Sequence, residues 1–204
     1  MKKLLLLTGL MISTLCYSQY EHKGFIGFSI GTSSPLGDFG SASLENPNRR
    51  YASNGVSFSI DGAYMLHRNF GLSANLFSKS WAIDFDGAAD GSDYLSTGIL
   101  LGGIATIPKN KLNFDFKLQL GYAKSTREKL NSGFFSTPSE EPEITGNDFA
   151  YSIGVGIRLH LGKNIDTMLN YAYFGTKPTL GEKHESIDYN IIANNFTLGI
   201  GYRL

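Results

Sequence analysis

The residues of this chain that could do chemistry are ionisable side chains set within stretches of alternating apolar and small residues. Alternate residues of a strand point to opposite sides, so these side chains should share the face opposite the apolar one. An unpaired charge in a narrow, dry interior is costly, so we expect them to form ion pairs. We favour a salt-bridged plug that holds the fold shut, and a gated ion path is the alternative. The set comprises Asp61, Lys79, Asp115, Lys117, Arg158, His160 and Arg203.

Four aspartates lie close together in a polar segment and could hold a cation: Asp84, Asp86, Asp90 and Asp93. Carboxylate oxygens are ligands that calcium prefers. The segment does not match the EF-hand pattern, however, and Asp-Gly pairs are ordinary turn formers. We therefore assign no metal site, and cation binding by residues 83–93 stays open.

One short run, His184-Glu185-Ser186, contains the residue types of a hydrolytic triad. Consecutive neighbours cannot form the hydrogen-bonded chain from acid to histidine to serine that activates the nucleophile. The run also falls in a polar segment, whereas a lipid-modifying hydrolase needs its serine at the membrane-facing surface of a strand. His22 and His67 have no companions that improve the case. We expect no catalytic residue and no cofactor.

The start of the chain, residues 1–18, has the pattern of a signal peptide. Two lysines precede a short apolar stretch, and small residues near Ser18 indicate cleavage before Gln19. A lipoprotein anchor at Cys16 would need a small preceding residue, but Leu15 is large. The stretch is also too short and too polar for a transmembrane helix, which needs about 20 apolar residues. We expect an exported chain whose mature part, residues 19–204, is one domain without cysteine or disulfide.

Strict alternation of apolar residues with small or polar ones predicts eight strands. Their connections alternate between long and short, and both chain ends fall on the side of the short turns. In the third strand the alternation of apolar residues shifts by one position. This shift predicts a bulge near residues 78–80 or the exit of the strand from a membrane. The predicted strands cover residues 23–32, 55–66, 70–83, 94–107, 112–122, 149–161, 165–174 and 189–204.

This pattern predicts an all-β fold, an eight-stranded antiparallel transmembrane up-and-down β-barrel. Charged residues make up 18% of the chain, and no long apolar run follows the signal peptide. A chain of this kind can cross a bilayer only as a closed barrel. A soluble barrel or sandwich is the rival, but its second face should carry many Lys, Glu and Thr, and here that face is mostly Gly, Ser and Asn. We expect interfacial aromatic girdles formed by Phe70, Tyr94, Tyr122, Phe149, Tyr151, Tyr171, Tyr173 and Tyr202.

Across the mature chain the sequence resembles the small outer-membrane β-barrel domain family, related in architecture to OmpA-type and OmpX-type barrels. The resemblance rests on the signal peptide, on Gly24-Phe-Ile-Gly-Phe-Ser-Ile-Gly followed by Pro35-Leu-Gly-Asp-Phe39, and on the closing Gly199-Ile-Gly-Tyr-Arg-Leu204. These motifs specify architecture and carry almost no information on function. Nothing follows the last strand, so we expect the peptidoglycan-binding domain of full OmpA proteins to be missing.

We therefore expect an integral barrel of the cell outer membrane with a structural or interaction role, alone or as an accessory subunit of a larger envelope complex. A narrow porin-like channel and a lipid-modifying enzyme are the alternatives. The expected partners are outer-membrane lipid and lipopolysaccharide, the barrel assembly machinery during insertion, and other outer-membrane proteins. Lys plus Arg and Asp plus Glu are equal at 18 each, so no charge excess points to nucleic acid.

Overall fold

The fold is taken from a computed structural model that describes residues 23–41, 43, 45, 50–83, 93–127, 144–182, 185–188 and 190–204. The predicted signal peptide and its cleavage site lie outside these residues. The strands are β1 (Gly24–Pro35), β2 (Gly55–His67), β3 (Phe70–Ala82), β4 (Asp93–Lys109), β5 (Leu112–Arg127), β6 (Ile144–His160), β7 (Ile165–Thr176), β8 (Thr179–Glu182), β9 (Glu185–Asp188) and β10 (Ile191–Arg203).

Eight of these strands form a closed antiparallel barrel in the order β1-β10-β7-β6-β5-β4-β3-β2. Pairing of β1 with β10, in which Phe28 faces Ile200, closes the cylinder and leaves it without a free edge. This confirms the predicted eight-stranded barrel. The two remaining strands, β8 and β9, form a separate hairpin in a segment that was predicted to be a polar loop.

The outer wall of the barrel is a continuous apolar belt. Side chains such as Leu72, Leu118 and Ile200 expose 58%, 58% and 68% of their surface. A soluble monomer rarely exposes an apolar patch beyond a few hundred Å². In a bilayer the same belt faces acyl chains, and every backbone group of the wall is paired between strands. The belt is therefore what a membrane-spanning barrel requires.

The barrel has two distinct ends. At the end that we call the turn end, β2 connects to β3, β4 to β5, and β6 to β7 through two to four residues, and both Gly24 and Arg203 lie there. Asn110 adopts a left-handed backbone, with φ of 55°, which makes the β4–β5 turn tight. At the opposite end, the loop end, longer connections join the strands. Among the described residues, no helix is long and apolar enough to cross a membrane.

The predicted bulge in β3 is wrong. The strand pairs without a break with both neighbours from residue 71 to residue 80, and the only shift against β2 lies between Met65 and His67. Trp81 and Ile83 continue the inward-facing series, and both are buried. The apolar residues change sides because the barrel interior itself becomes apolar at the loop end, while Ser78 and Ser80 lie on the opposite side of the strand.

Two further expectations need correction. Tyr94, predicted to join an outer aromatic girdle, points inward and is 1% exposed. Strand β6 begins at Ile144, five residues before the predicted start at Phe149. The additional residues of β6 were predicted to be a loop because several of them are polar. They form a strand because β5 continues to Arg127, which pairs with Ile144.

Candidate functional site: the barrel interior

The interior side chains change character along the barrel axis. Ion pairs occupy the turn end, where they pack beside an apolar layer of Phe25, Ala63, Ile104 and Met168. A polar central cavity follows. A cluster of aromatic side chains then closes the loop end. Each layer is built from residues that alternate with the outward-facing apolar ones, so the period of two places them inside.

Near the turn end, Asp115 and Arg158 form a two-point ion pair. Arg158 donates from Nε to Oδ2 at 2.5 Å and from Nη2 to Oδ1 at 3.0 Å. Thr106 donates a further hydrogen bond to Oδ1 at 2.7 Å. Both charged side chains are buried, and the Arg158 guanidinium lies 4.0 Å from the ring centroid of Phe25. The carboxylate is thus held by a fixed set of donors on two neighbouring strands.

Asp166 on β7 is the residue that the sequence analysis missed. It is fully buried, and three basic side chains surround it. His160 Nδ1 lies 2.7 Å from Oδ1, Arg203 Nε lies 2.9 Å from the same oxygen, and Arg158 Nη1 lies 3.7 Å from Oδ2. Arg203 Nε is not aligned for a hydrogen bond, so its contact is an ion pair, while its Nη2 donates to the carbonyl of Gly162. The sequence did contain a signal for Asp166. Ile165 faces outward, so the alternation of the strand places the next residue, Asp166, inside the barrel.

The turn-end charges balance. Asp115 and Asp166 carry two negative charges, and Arg158 and Arg203 carry two positive ones. Charges in a low-dielectric interior are tolerated when opposite charges and hydrogen bonds compensate them. The structure therefore brings four of the predicted residues together around the missed Asp166. Oδ2 of Asp166 accepts no hydrogen bond, but it is fully buried and therefore not open to a substrate.

Asp61 and Lys117 meet in the middle of the barrel. Lys117 Nζ donates to Asp61 Oδ1 at 3.0 Å, and Asn75 donates to the same oxygen at 3.2 Å. Ser59 donates to Oδ2 at 3.0 Å, so this carboxylate is also fully engaged. Asn170 accepts a longer contact from Lys117 at 3.5 Å.

Lys79 differs from the other interior charges. It is 5% exposed, and its Nζ lies 3.8 Å from the ring centroid of Phe174 and 4.4 Å from that of Phe77. Among the residues that the structure describes, no carboxylate lies within ion-pair distance of this ammonium. The expectation that every interior charge has an ion-pair partner is therefore wrong for Lys79. The two rings stabilise its charge instead, by about 2 kcal/mol when the pair is desolvated.

The described part of the barrel contains a central cavity and a turn-end cavity, both small. The central one has a volume of about 50 Å³ and is lined by polar side chains that include Asp61, Lys79 and Lys117. The other, also of about 50 Å³, lies at the turn end beside Arg158 and Arg203. A cavity needs at least about 10–15 Å³ of volume to hold one water, so each of these cavities has room for only a few waters. The Asp115–Arg158 pair and the apolar layer lie between them.

The loop end is closed by Phe39, which the segment after β1 folds into the mouth of the barrel. Its ring meets Trp81 edge-on, at 5.2 Å and 87°, and Tyr94 at 5.2 Å and 65°. All three side chains are at most 1% exposed. An isolated antiparallel β-bridge between Ala52 and Ile83 holds the next part of the same segment across the mouth. We call the three rings the aromatic plug.

The remaining sequence candidates gain no site. His67 is exposed at the end of β2. Asp84, Asp86, Asp90 and His184 lie outside the described residues, and of Asp93, Glu185 and Ser186 only the backbone is described, in β4 and β9. Within the described part of the chain, no group of three or more metal-binding side chains occurs.

The model of the family described as "Outer membrane protein beta-barrel domain" matches residues 4–203. Solved structures similar to the chain include Neisserial surface protein A (NspA), with 11% identity, a TM-score of 0.58, and coverage of 89% of this chain and 97% of that one. Ail, the attachment invasion locus protein of Yersinia pestis, has 17% identity, a TM-score of 0.51, and coverage of 89% and 99%. At these identities the likeness shows the fold alone. No curated protein matches the chain.

Proposed function

Because the chain belongs to the outer membrane protein β-barrel domain family, we propose that it is a structural or interaction barrel, and neither a channel nor an enzyme. Its outer wall binds outer-membrane lipid and lipopolysaccharide, and the barrel assembly machinery inserts it. Other outer-membrane proteins pack against its wall or its loop end, so that it acts as an accessory subunit of a larger envelope complex.

The observation that carries this proposal is the filling of the lumen at two separate levels. The aromatic plug occupies the loop end, and the Asp115–Arg158 pair with Phe25 and Met168 occupies the level below the central cavity. An ion path needs a continuous column of water, and the two cavities of about 50 Å³ each do not supply one. The interior of an eight-stranded barrel is so narrow that its own side chains can fill it.

The interior charges also argue against catalysis. A general base or nucleophile needs a free lone pair within reach of a substrate. Asp61 and Asp115 each accept three hydrogen bonds, and Asp166 is enclosed by Arg158, His160 and Arg203. The interior is therefore better suited to rigidity than to chemistry.

An interaction role places the recognition surface at the loop end, where β5 and β6 extend to Arg127 and Ile144 and the β8–β9 hairpin is added. Ail, a protein of similar fold, is named as an attachment protein, which supports the idea that a barrel of this fold can present a binding surface. The rigid, filled lumen would hold such a surface in place.

Two measurements test the proposal. First, a tag inserted within residues 128–143 allows native purification in mild detergent, and we expect a stoichiometric membrane partner. Second, lipid A and phospholipids of a deletion strain should match those of the parent. Altered lipids restored by the wild-type gene would overturn the non-enzymatic role, and a barrel that purifies alone would remove the accessory-subunit form of the proposal.

A further inference from the structure

The ammonium group of Lys79 lacks an acceptor. It carries three N–H donors, and the faces of Phe77 and Phe174 offer it electron density but no lone pair. No described residue supplies it with a hydrogen bond or a carboxylate. The side chain is nine-tenths buried and lines the central cavity. The donors that face this cavity therefore need an acceptor that the described chain does not supply.

The carboxylate that shares the cavity is already engaged. Asp61 accepts from Ser59, Asn75 and Lys117, and these three contacts occupy both of its oxygens. The charged side chains among the described residues that line the cavity are Lys79, Lys117 and Asp61. Two positive charges and one negative charge leave one positive charge in excess, in a part of the barrel where charge is poorly solvated.

Asn170, which lines the same cavity, adds a second orphan donor. Its Nδ2 is buried and has no hydrogen-bond partner, while its Oδ1 faces Lys117 at 3.5 Å. Buried polar atoms are satisfied in the great majority of cases, so an orphan amide and an uncompensated ammonium in the wall of one cavity indicate a missing acceptor. The ammonium of Lys79 and the amide of Asn170 are both hydrogen-bond donors. Because the cavity also has an excess positive charge, the missing acceptor should be negatively charged.

We propose that the central cavity binds one small inorganic anion of the halide class, held by the ammonium of Lys79. The volume of about 50 Å³ has room for only a few waters, so it accommodates a halide with a water molecule and excludes large organic anions. Water alone would fill the space without neutralising the excess charge. The anion completes the packing of the lumen and makes the barrel more stable.

The aromatic plug and the apolar layer enclose the cavity, so anion exchange in the folded barrel is slow. The protein is therefore refolded into detergent separately in sodium chloride and in sodium gluconate of equal ionic strength. Lys79→Met keeps the length of the side chain and removes its charge. Lys124→Met is the matched control, because Lys124 is exposed on the outer side of β5.

The midpoint of thermal unfolding is compared between the two salts. We expect wild type and Lys124→Met to be more stable in chloride than in gluconate, and Lys79→Met to show no difference. Equal midpoints for wild type in the two salts would overturn the site, as would a chloride effect that survives in Lys79→Met.

Crystals grown in bromide give an independent measurement. We expect an anomalous peak in contact with Lys79 Nζ that is absent from Lys79→Met. Peaks at exposed lysines alone would mean an adventitious ion only and would overturn the proposal. This site does not depend on the proposed function, since a barrel without the anion would still be closed to ion flow.

Discussion

Arg158 of β6 and Asp115 of β5 face each other inside the barrel and are joined by two hydrogen bonds, of 2.5 and 3.0 Å. The same guanidinium reaches Asp166 on β7 at 3.7 Å and covers the ring of Phe25 on β1 at 4.0 Å. One side chain thus links four strands around the lumen. It crosses the interior instead of lining a path through it.

Replacing Arg158 by Met should destabilise the barrel by about 3–5 kcal/mol, because Asp115 is left buried without its main donor. Adding Asp115→Asn should restore part of the loss, since the uncompensated charge is then removed. The free energy of unfolding, measured with urea in lipid vesicles, checks both. If the double variant is destabilised by the full sum of the two single losses, the pair is not coupled.

Asp166→Asn should cost about as much as the loss of Arg158, because it leaves the buried Arg203 and His160 without their carboxylate, while Arg158 keeps Asp115. The measurement is the same urea titration. Glu45→Gln, at an exposed position near the loop end, is the matched control and should lie within about 0.5 kcal/mol of wild type. A loss for Asp166→Asn no larger than that of the control would contradict the role of Asp166 as the hub of the turn-end charges.

Phe39→Ala should open the aromatic plug at a cost of about 3–5 kcal/mol, because it removes a fully buried ring. Trp81 is the only tryptophan of the chain and contacts Phe39 directly. Its emission should therefore shift to longer wavelength, and aqueous acrylamide should quench it more strongly. Phe70→Ala, which removes an outward-facing ring, should leave the emission unchanged. An unchanged spectrum in Phe39→Ala would mean that the ring does not shield Trp81.

The sequence was sufficient to predict the barrel, its strand number and the inward position of all seven ionisable residues, because the period of two is a local property of the chain. It was not sufficient for the loop end. Periodicity shows which residues share a face, but it does not show whether that face meets lipid or lumen. Tyr94 was therefore misread as a girdle residue and the phase change at Trp81 as a bulge, since the apolar partner that both rings meet inside, Phe39, comes from a distant segment.

The partners of the interior charges could not be predicted either. Asp166 pairs with residues on β6 and β10, and those contacts depend on the stagger of strands around the cylinder. Lys79 stands between rings from β3 and β7, which meet across the lumen. Sequence alternation does not report distances across a barrel.

The central claim is that the lumen is filled and closed, and single-channel recording in planar bilayers tests it most directly. Wild-type protein should give no discrete current steps at any applied voltage. Phe39→Ala should give none either, because the layer that contains Arg158 and Met168 remains closed below the plug. Reproducible current steps in the wild type that change in Arg158→Ala would contradict the account and make the barrel a narrow channel.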